Sequence, residues 1–178
     1  TIDIQASATF IDELKKQSRV AKKQVKIGAV ANRVRDNTLA FDELDAYLLY
    51  NHTKKGCNPL GPANMLLISG GILTATCASA TARTHIMAKS PLTGLLGSTN
   101  MGGFFAPELA WAGFHHLVIK GKADHPVYIS INNGEIEIRD ACDIWGKSVT
   151  DTQWAIREDL GDEEVKSCVC GPAGESLV

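Results

Sequence analysis

The chain has 178 residues, a formal charge of −2, and a composition that is 44% hydrophobic and 21% charged. That balance suits a soluble domain with room for a substantial core, and it gives no reason to expect nucleic acid as a partner. No apolar run approaches the length of a membrane span, and the opening residues lack the apolar centre of a secretory signal, so membrane insertion is not expected either.

Taken in order, Thr9 to Gln17 opens an amphipathic pattern with Phe10, Ile11 and Leu14 on one side, followed by a basic stretch from Lys15 to Lys26 that reads as a solvated helix face or a contact with an acidic partner. Val25 to Val30 reads as a short strand and Arg33 to Asn37 as a loop. Leu39 to Tyr50 is a helix with Phe41, Leu44, Leu48 and Leu49 at core positions, and Pro59 and Pro62 keep the following connection extended. Met65 to Ser69 is a buried strand stopped by Gly70 and Gly71. After the small residues Ala75 to Ala80 comes Arg83, then a strand-like run, a turn from Lys89 to Gly94 and a second run from Leu95 to Ser98. Thr99 to Gly103 reads as a polar, glycine-rich loop, and Phe104 to Ala112 as a short helix closed by Gly113.

The second half is richer in strands. Leu117 to Lys120, Pro126 to Ile131 and Glu135 to Arg139 alternate with period two, and Asn133-Gly134 supplies a tight turn between the last two. Thr150 to Gln153 predicts an N-cap and capping box for a helix reaching Leu160, stopped by Gly161-Asp162. Val165 to Val169 returns to strand, and Gly171 to Gly174 reads as an exit turn. The whole predicts an α+β fold of largely antiparallel sheets with short helices.

Five cysteines, Cys57, Cys77, Cys142, Cys168 and Cys170, show no metal-ligand spacing, and their odd number suits a reducing cytoplasm. Cys168 and Cys170 would share one face of a strand, as buried thiols. His115-His116 is a poor ligand pair, because neighbours on a strand face opposite sides, and His85 reads as a packed or hydrogen-bonded histidine. Phe104, Phe105, Leu109 and Trp111 read as core or subunit-facing residues. The stretch from Arg83 to Gly103 admits two readings on spacing alone. One is a set of structural turns. The other is an anion cradle, in which a guanidinium fork, a glycine pair and the free amides of a helix start face a phosphate or carboxylate.

The wording of the stretch says more than its spacing. Asn58 to Asn64, Leu66 to Thr74, Lys89 to Gly94, Asn100 to Leu109, Gly121-Lys122, Pro126 to Tyr128, Ile138 to Ala141, Trp145 to Lys147 and Gly171 to Val178 form an ordered set. In these segments the chain resembles the N-terminal domain of the tungsten-containing aldehyde:ferredoxin oxidoreductase family, across residues 40–178. The first 38 residues lack the glycine- and tryptophan-containing hairpin with which members usually begin. They are set apart as an atypical N-terminal segment, leaving 39–178 as the tungstopterin-binding domain.

The resemblance implies a cytoplasmic oxidoreductase that oxidises aldehydes to carboxylic acids and passes electrons to ferredoxin. Its cofactor would be tungsten held by two pterins, with magnesium bridging the pterin phosphates. Arg83 would hold a phosphate, Asn100 would meet the cofactor or the magnesium through its backbone carbonyl, and Met101, Gly102 and Gly103 would line the pterin. No residue of this chain receives a catalytic role. The ligands of a 4Fe-4S cluster are expected downstream in the complete enzyme, so the remainder of the oxidoreductase or companion subunits would be required, and a homo-oligomer is compatible with this. Met101 to Leu109 and Ile131 to Asn133 also look like the branch that reduces an aromatic coenzyme A thioester, and a structural or assembly domain without cofactor is the third reading.

Overall fold

The computed structural model describes residues 25–30 and 40–177; the helix expected from Thr9 and the loop at Arg33 lie outside the described residues. The chain divides into two compact units, one ending at Ala123 and the other beginning at Asp124.

The first unit is a five-stranded antiparallel sheet. Its strands are β1 (Val25–Val30), β2 (Met65–Gly70), β3 (Thr84–Lys89), β4 (Leu96–Met101) and β5 (His116–Gly121), in the order β1-β5-β2-β3-β4. Met65-Leu-Leu-Ile is the most apolar strand and sits between β5 and β3, where a strand is hydrogen-bonded on both sides. Alternation sends Met65 and Leu67 to one face, where Leu48 and Leu49 of helix α1 (Ala40–His52) meet them together with Met87 of β3. Leu66, on the other face, stays 37% exposed. At one end of that second face lies helix α2 (Phe105–Trp111), packed so closely that a side chain added at Gly70 would meet Ala106 Cβ at 3.3 Å.

One sequence expectation needs correction here. The strand expected to end at Ser98 begins at Leu96 and continues through Thr99, Asn100 and Met101, because pairing with β3 carries the polar residues along. An outermost strand with solvent on one side tolerates such residues. In α2, Leu109 is buried, while Phe104 and Trp111, expected as core or subunit-facing residues, lie outside the core at 65% and 63% exposure. The helix has only seven residues, so a single narrow stripe, Ala106, Pro107 and Leu109, reaches the sheet.

The second unit holds the hairpin β6 (Val127–Asn132) and β7 (Glu135–Asp140), helix α3 (Val149–Leu160) and a single turn, α4 (Pro172–Glu175), at the expected exit turn. Asn133 and Gly134 both have positive φ, 45° and 89°, which is what a two-residue turn between right-twisted strands demands. Ile129 pairs with Ile138 and Ile131 with Ile136, so the apolar residues share one face. On the opposite face Tyr128 donates its hydroxyl proton to Asp159 of α3, and Arg139 forks between Glu137 and Asp159. The hydrogen bonds from Tyr128 and Arg139 hold the Asp159 carboxyl below the usual range.

The cap of α3 is not where the sequence placed it. Ser148 is the N-cap: its Oγ accepts the Asp151 backbone N–H at 3.2 Å and donates to Asp151 Oδ2 at 2.7 Å, whereas Thr150 lies inside the helix. Both positions offer a hydroxyl followed by a polar residue three places on, which is why sequence alone misplaces the start by two residues. Ser148→Ala should therefore lower stability by about 1 kcal/mol, while Thr150→Ala stays within about 0.5 kcal/mol, as read from denaturant midpoints. The opposite ranking would restore the original cap.

Val165 to Val169 forms no strand. The Val165 carbonyl accepts from Arg157 Nε at 3.3 Å, and the segment pairs with no strand among the described residues. Apolar alternation signals burial but cannot supply a partner backbone. Cys168 and Cys170 consequently lose their expected buried face: they are exposed, as are Cys77 and Cys142, and only Cys57 is half-buried. The Cys142 thiol is pushed above its ordinary range, chiefly by its hydrogen bond to Asp140.

Candidate cofactor site at one end of the sheet

The register of β3 with β4 pairs Thr84 with Met101 and His85 with Asn100. Arg83 enters β3 at the end where Gly102 and Gly103 leave β4, so residues nearly twenty positions apart become neighbours along the end of the sheet. The loop ahead of Arg83 is tied to itself by hydroxyls. Thr74 Oγ1 donates to the Thr81 carbonyl at 2.7 Å, and Thr81 Oγ1 reaches the carbonyls of Leu73 and Ala78, both at 3.0 Å. Ala75 and Ala80 hold positive φ of 66° and 59°, a conformation that small side chains meet at least cost. The small-residue stretch thus folds a tight loop and delivers Arg83 to the surface, where its guanidinium engages none of the described residues.

Around the glycines the space is open. A Cβ added to Gly102 or Gly103 would meet nothing within 4 Å, and Gly103 has φ 105°, so only its conformation, not its packing, calls for glycine. The N-cap of α2, Phe104, makes no side-chain hydrogen bond, and a seven-residue helix adds little field of its own. Charge at this end therefore comes from Arg83. Because β4 is the outer strand, alternate N–H and C=O groups along Asn100 to Met101 face away from β3.

Behind the glycines lies a feature the sequence concealed. Val30, His116, Ser69, His85 and Asn100 stand at one level across all five strands. Asp45 of α1 lies over the middle of this row: Ser69 Oγ donates to Asp45 Oδ2 at 2.7 Å, and His116 Nδ1 lies 3.3 Å from Asp45 Oδ1. At the outer end His85 Nδ1 donates to Asn100 Oδ1 at 3.3 Å. His85 is the hydrogen-bonded histidine that its sequence setting suggested. His116 belongs to this network and His115 does not, in line with their failure as a ligand pair; burial, with the neighbouring His116, holds the His115 ring below its ordinary pKa. One signal for Asp45 was present: a carboxylate between Leu44 and Leu48 sits on the apolar stripe of its helix. Among the described residues no three His, Cys, Asp or Glu side chains gather as a metal-ligand set.

The family described as aldehyde ferredoxin oxidoreductase, N-terminal domain, matches residues 19–178. The chain belongs to this family. It is 47% identical over 135 residues to a tungsten-containing aldehyde ferredoxin oxidoreductase of Pyrococcus furiosus, a stretch covering 76% of this chain and 22% of that protein. The aliphatic sulfonate oxidoreductase, WOR-like subunit, of the same organism is 36% identical over 107 residues, covering 60% of this chain and 17% of that one. Among solved structures, the active site complex BamBC of benzoyl coenzyme A reductase, in complex with 1,5-dienoyl-CoA, superposes with a TM-score of 0.75 at 33% identity, over 81% of this chain and 23% of that one. The α+β fold with antiparallel sheets is that of the family. The chain spans about 22% of the length of the first of these relatives.

Proposed function

We propose that this domain is the cofactor-binding part of a tungsten oxidoreductase that oxidises aldehydes to carboxylic acids, with ferredoxin or another iron–sulfur carrier as electron acceptor. The observation that carries the reading is the juxtaposition of an exposed Arg83, which engages none of the described residues, with the open Gly102-Gly103 turn at the end of β3 and β4. A guanidinium fork beside an accessible backbone is a donor set that fits the phosphates of a pterin cofactor.

When bound, a tungsten bis-pterin supplies the redox chemistry, and the protein supplies place and charge. Arg83 would hold a phosphate by charge-assisted hydrogen bonds. Met101, Gly102 and Gly103 would line the pterin, and the absence of side chains on the two glycines lets a flat heterocycle approach the main chain. The Asn100 carbonyl would offer magnesium one neutral oxygen; phosphates and waters complete a shell of the kind that ion prefers. A 4Fe-4S cluster, the groups that move protons at the substrate, and docking of the electron carrier are assigned to the remaining domains or to companion subunits, with 39–178 as the part that carries the cradle. We place the assembly in the cytoplasm, on the odd cysteine count.

The structural likeness to the benzoyl coenzyme A reductase complex favours a second reading, reduction of an aromatic coenzyme A thioester. Metal and pterin analysis of the intact assembly, followed by dye reduction with aldehydes and by thioester reduction, separates these. Stoichiometric tungsten with aldehyde-dependent turnover is expected. Tungsten with only thioester reduction would favour the second reading, and an assembly devoid of pterin would leave a structural or assembly domain.

A further inference from the structure

A polar row inside an apolar core calls for an explanation. Met65, Leu67 and Met87 occupy the same face of the sheet, and an apolar residue at position 85 would pack with them without any desolvation cost. Instead the chain buries a histidine, 8% exposed, and directs its Nδ1 to the side chain of an otherwise exposed residue on the outer strand. That residue is Asn100, the next-to-last residue of β4, two positions before Gly102-Gly103. The pairing fixes something that strand geometry leaves loose. Among the described residues β4 has a strand on one side only, and beyond Met101 its backbone passes into two glycines at which an added Cβ would meet nothing within 4 Å.

We propose that His85 is a positioning residue for the cofactor cradle: by holding Asn100 Oδ1 on the α1-covered face of the sheet, it fixes the backbone of Asn100 to Gly103 for the ligand. The inference rests on the cofactor-binding reading above. The imidazole is itself set within the row, opposite Ser69 across β2 and β3, and the Ser69 hydroxyl is held by Asp45 of α1. His85 touches neither pterin nor substrate in this scheme and acts only through Asn100.

The test uses the intact assembly. His85→Ala removes the donor. His85→Asn replaces it, since the carboxamide nitrogen stands where Nδ1 does along the side chain. Met87→Ala, two residues along β3 in the same core, controls for general loosening. Tungsten and pterin retained per folded assembly after dialysis are measured beside hydrogen exchange of the amides from Asn100 to Gly103. His85→Ala is expected to weaken cofactor retention by about tenfold or more and to speed exchange in that segment, with His85→Asn largely restoring both. Met87→Ala should leave both near wild type at temperatures well below its unfolding. Wild-type retention and protection in His85→Ala would overturn the proposal, as would equal losses in all three variants. Where His85→Ala does not fold, Asn100→Ala breaks the same hydrogen bond from the exposed end while keeping the backbone carbonyl, and it must give the same losses. A wild-type assembly without tungsten or pterin would sink the cofactor reading instead, and unchanged exchange in His85→Ala would then sink the positioning role separately.

Discussion

Replacing Arg83 with alanine should strip most of the tungsten and pterin from the folded assembly before it changes the turnover of any cofactor still bound. Arg83 is exposed and engages none of the described residues, so its removal should leave stability within about 0.5 kcal/mol. Its value would lie wholly in the ligand. A hydrogen bond to a charged group contributes about 1.5–3 kcal/mol, so losing one of them lowers affinity by roughly ten- to two-hundredfold. Lysine at position 83 keeps the charge but not the planar fork, and should recover only part of the loss. The measurement is tungsten and pterin per folded assembly, with turnover normalised to occupied sites and a melting curve alongside. Full occupancy and unchanged activity in Arg83→Ala would remove the residue from the site.

How such a site can be read from sequence depends on which of its parts are local. The glycine pair and the arginine are local signals, and the register of β3 with β4 brings them to one end of the sheet. The hairpin at Asn133-Gly134 was legible for the same reason, because a two-residue turn with positive φ leaves few residue choices. The strand at Thr99 to Met101 was not legible. Its residues are polar, and the pairing that makes them a strand comes from β3 across a turn. Val165 to Val169 failed in the opposite sense, having the pattern of a strand but no paired strand among the described residues. The row from His116 to Asn100 was hidden altogether, since it joins four strands at one level and no stretch of sequence contains two of its members side by side. Nonlocal pairing, not local propensity, decides each of these cases.

The largest stability effect should come from Asp45→Ala. Asp45 is fully buried, with 0% exposure, and its two oxygens serve two strands: Oδ2 accepts from Ser69 on β2, and Oδ1 lies 3.3 Å from His116 Nδ1 on β5. Truncation leaves the Ser69 hydroxyl without its acceptor, removes the carboxylate beside the His116 ring, and opens a void between α1 and the sheet. Removing one member of a buried polar cluster costs about 3–5 kcal/mol, which for a chain of this size lowers the melting temperature by roughly 10 °C. Asp45→Asn keeps the shape and one acceptor, and should cost about half as much. The discriminating variant changes all three positions together, Asp45→Leu with Ser69→Ala and His116→Leu. If the cost of Asp45→Ala comes from orphaned partners, the triple change should be less destabilising than the single truncation, because no buried donor is left behind. Denaturant unfolding of the four proteins decides it. A triple variant at least as destabilised as Asp45→Ala would remove the orphaned-partner account, and an Asp45→Ala variant within about 1 kcal/mol of wild type would show that the polar row contributes little to anchoring α1.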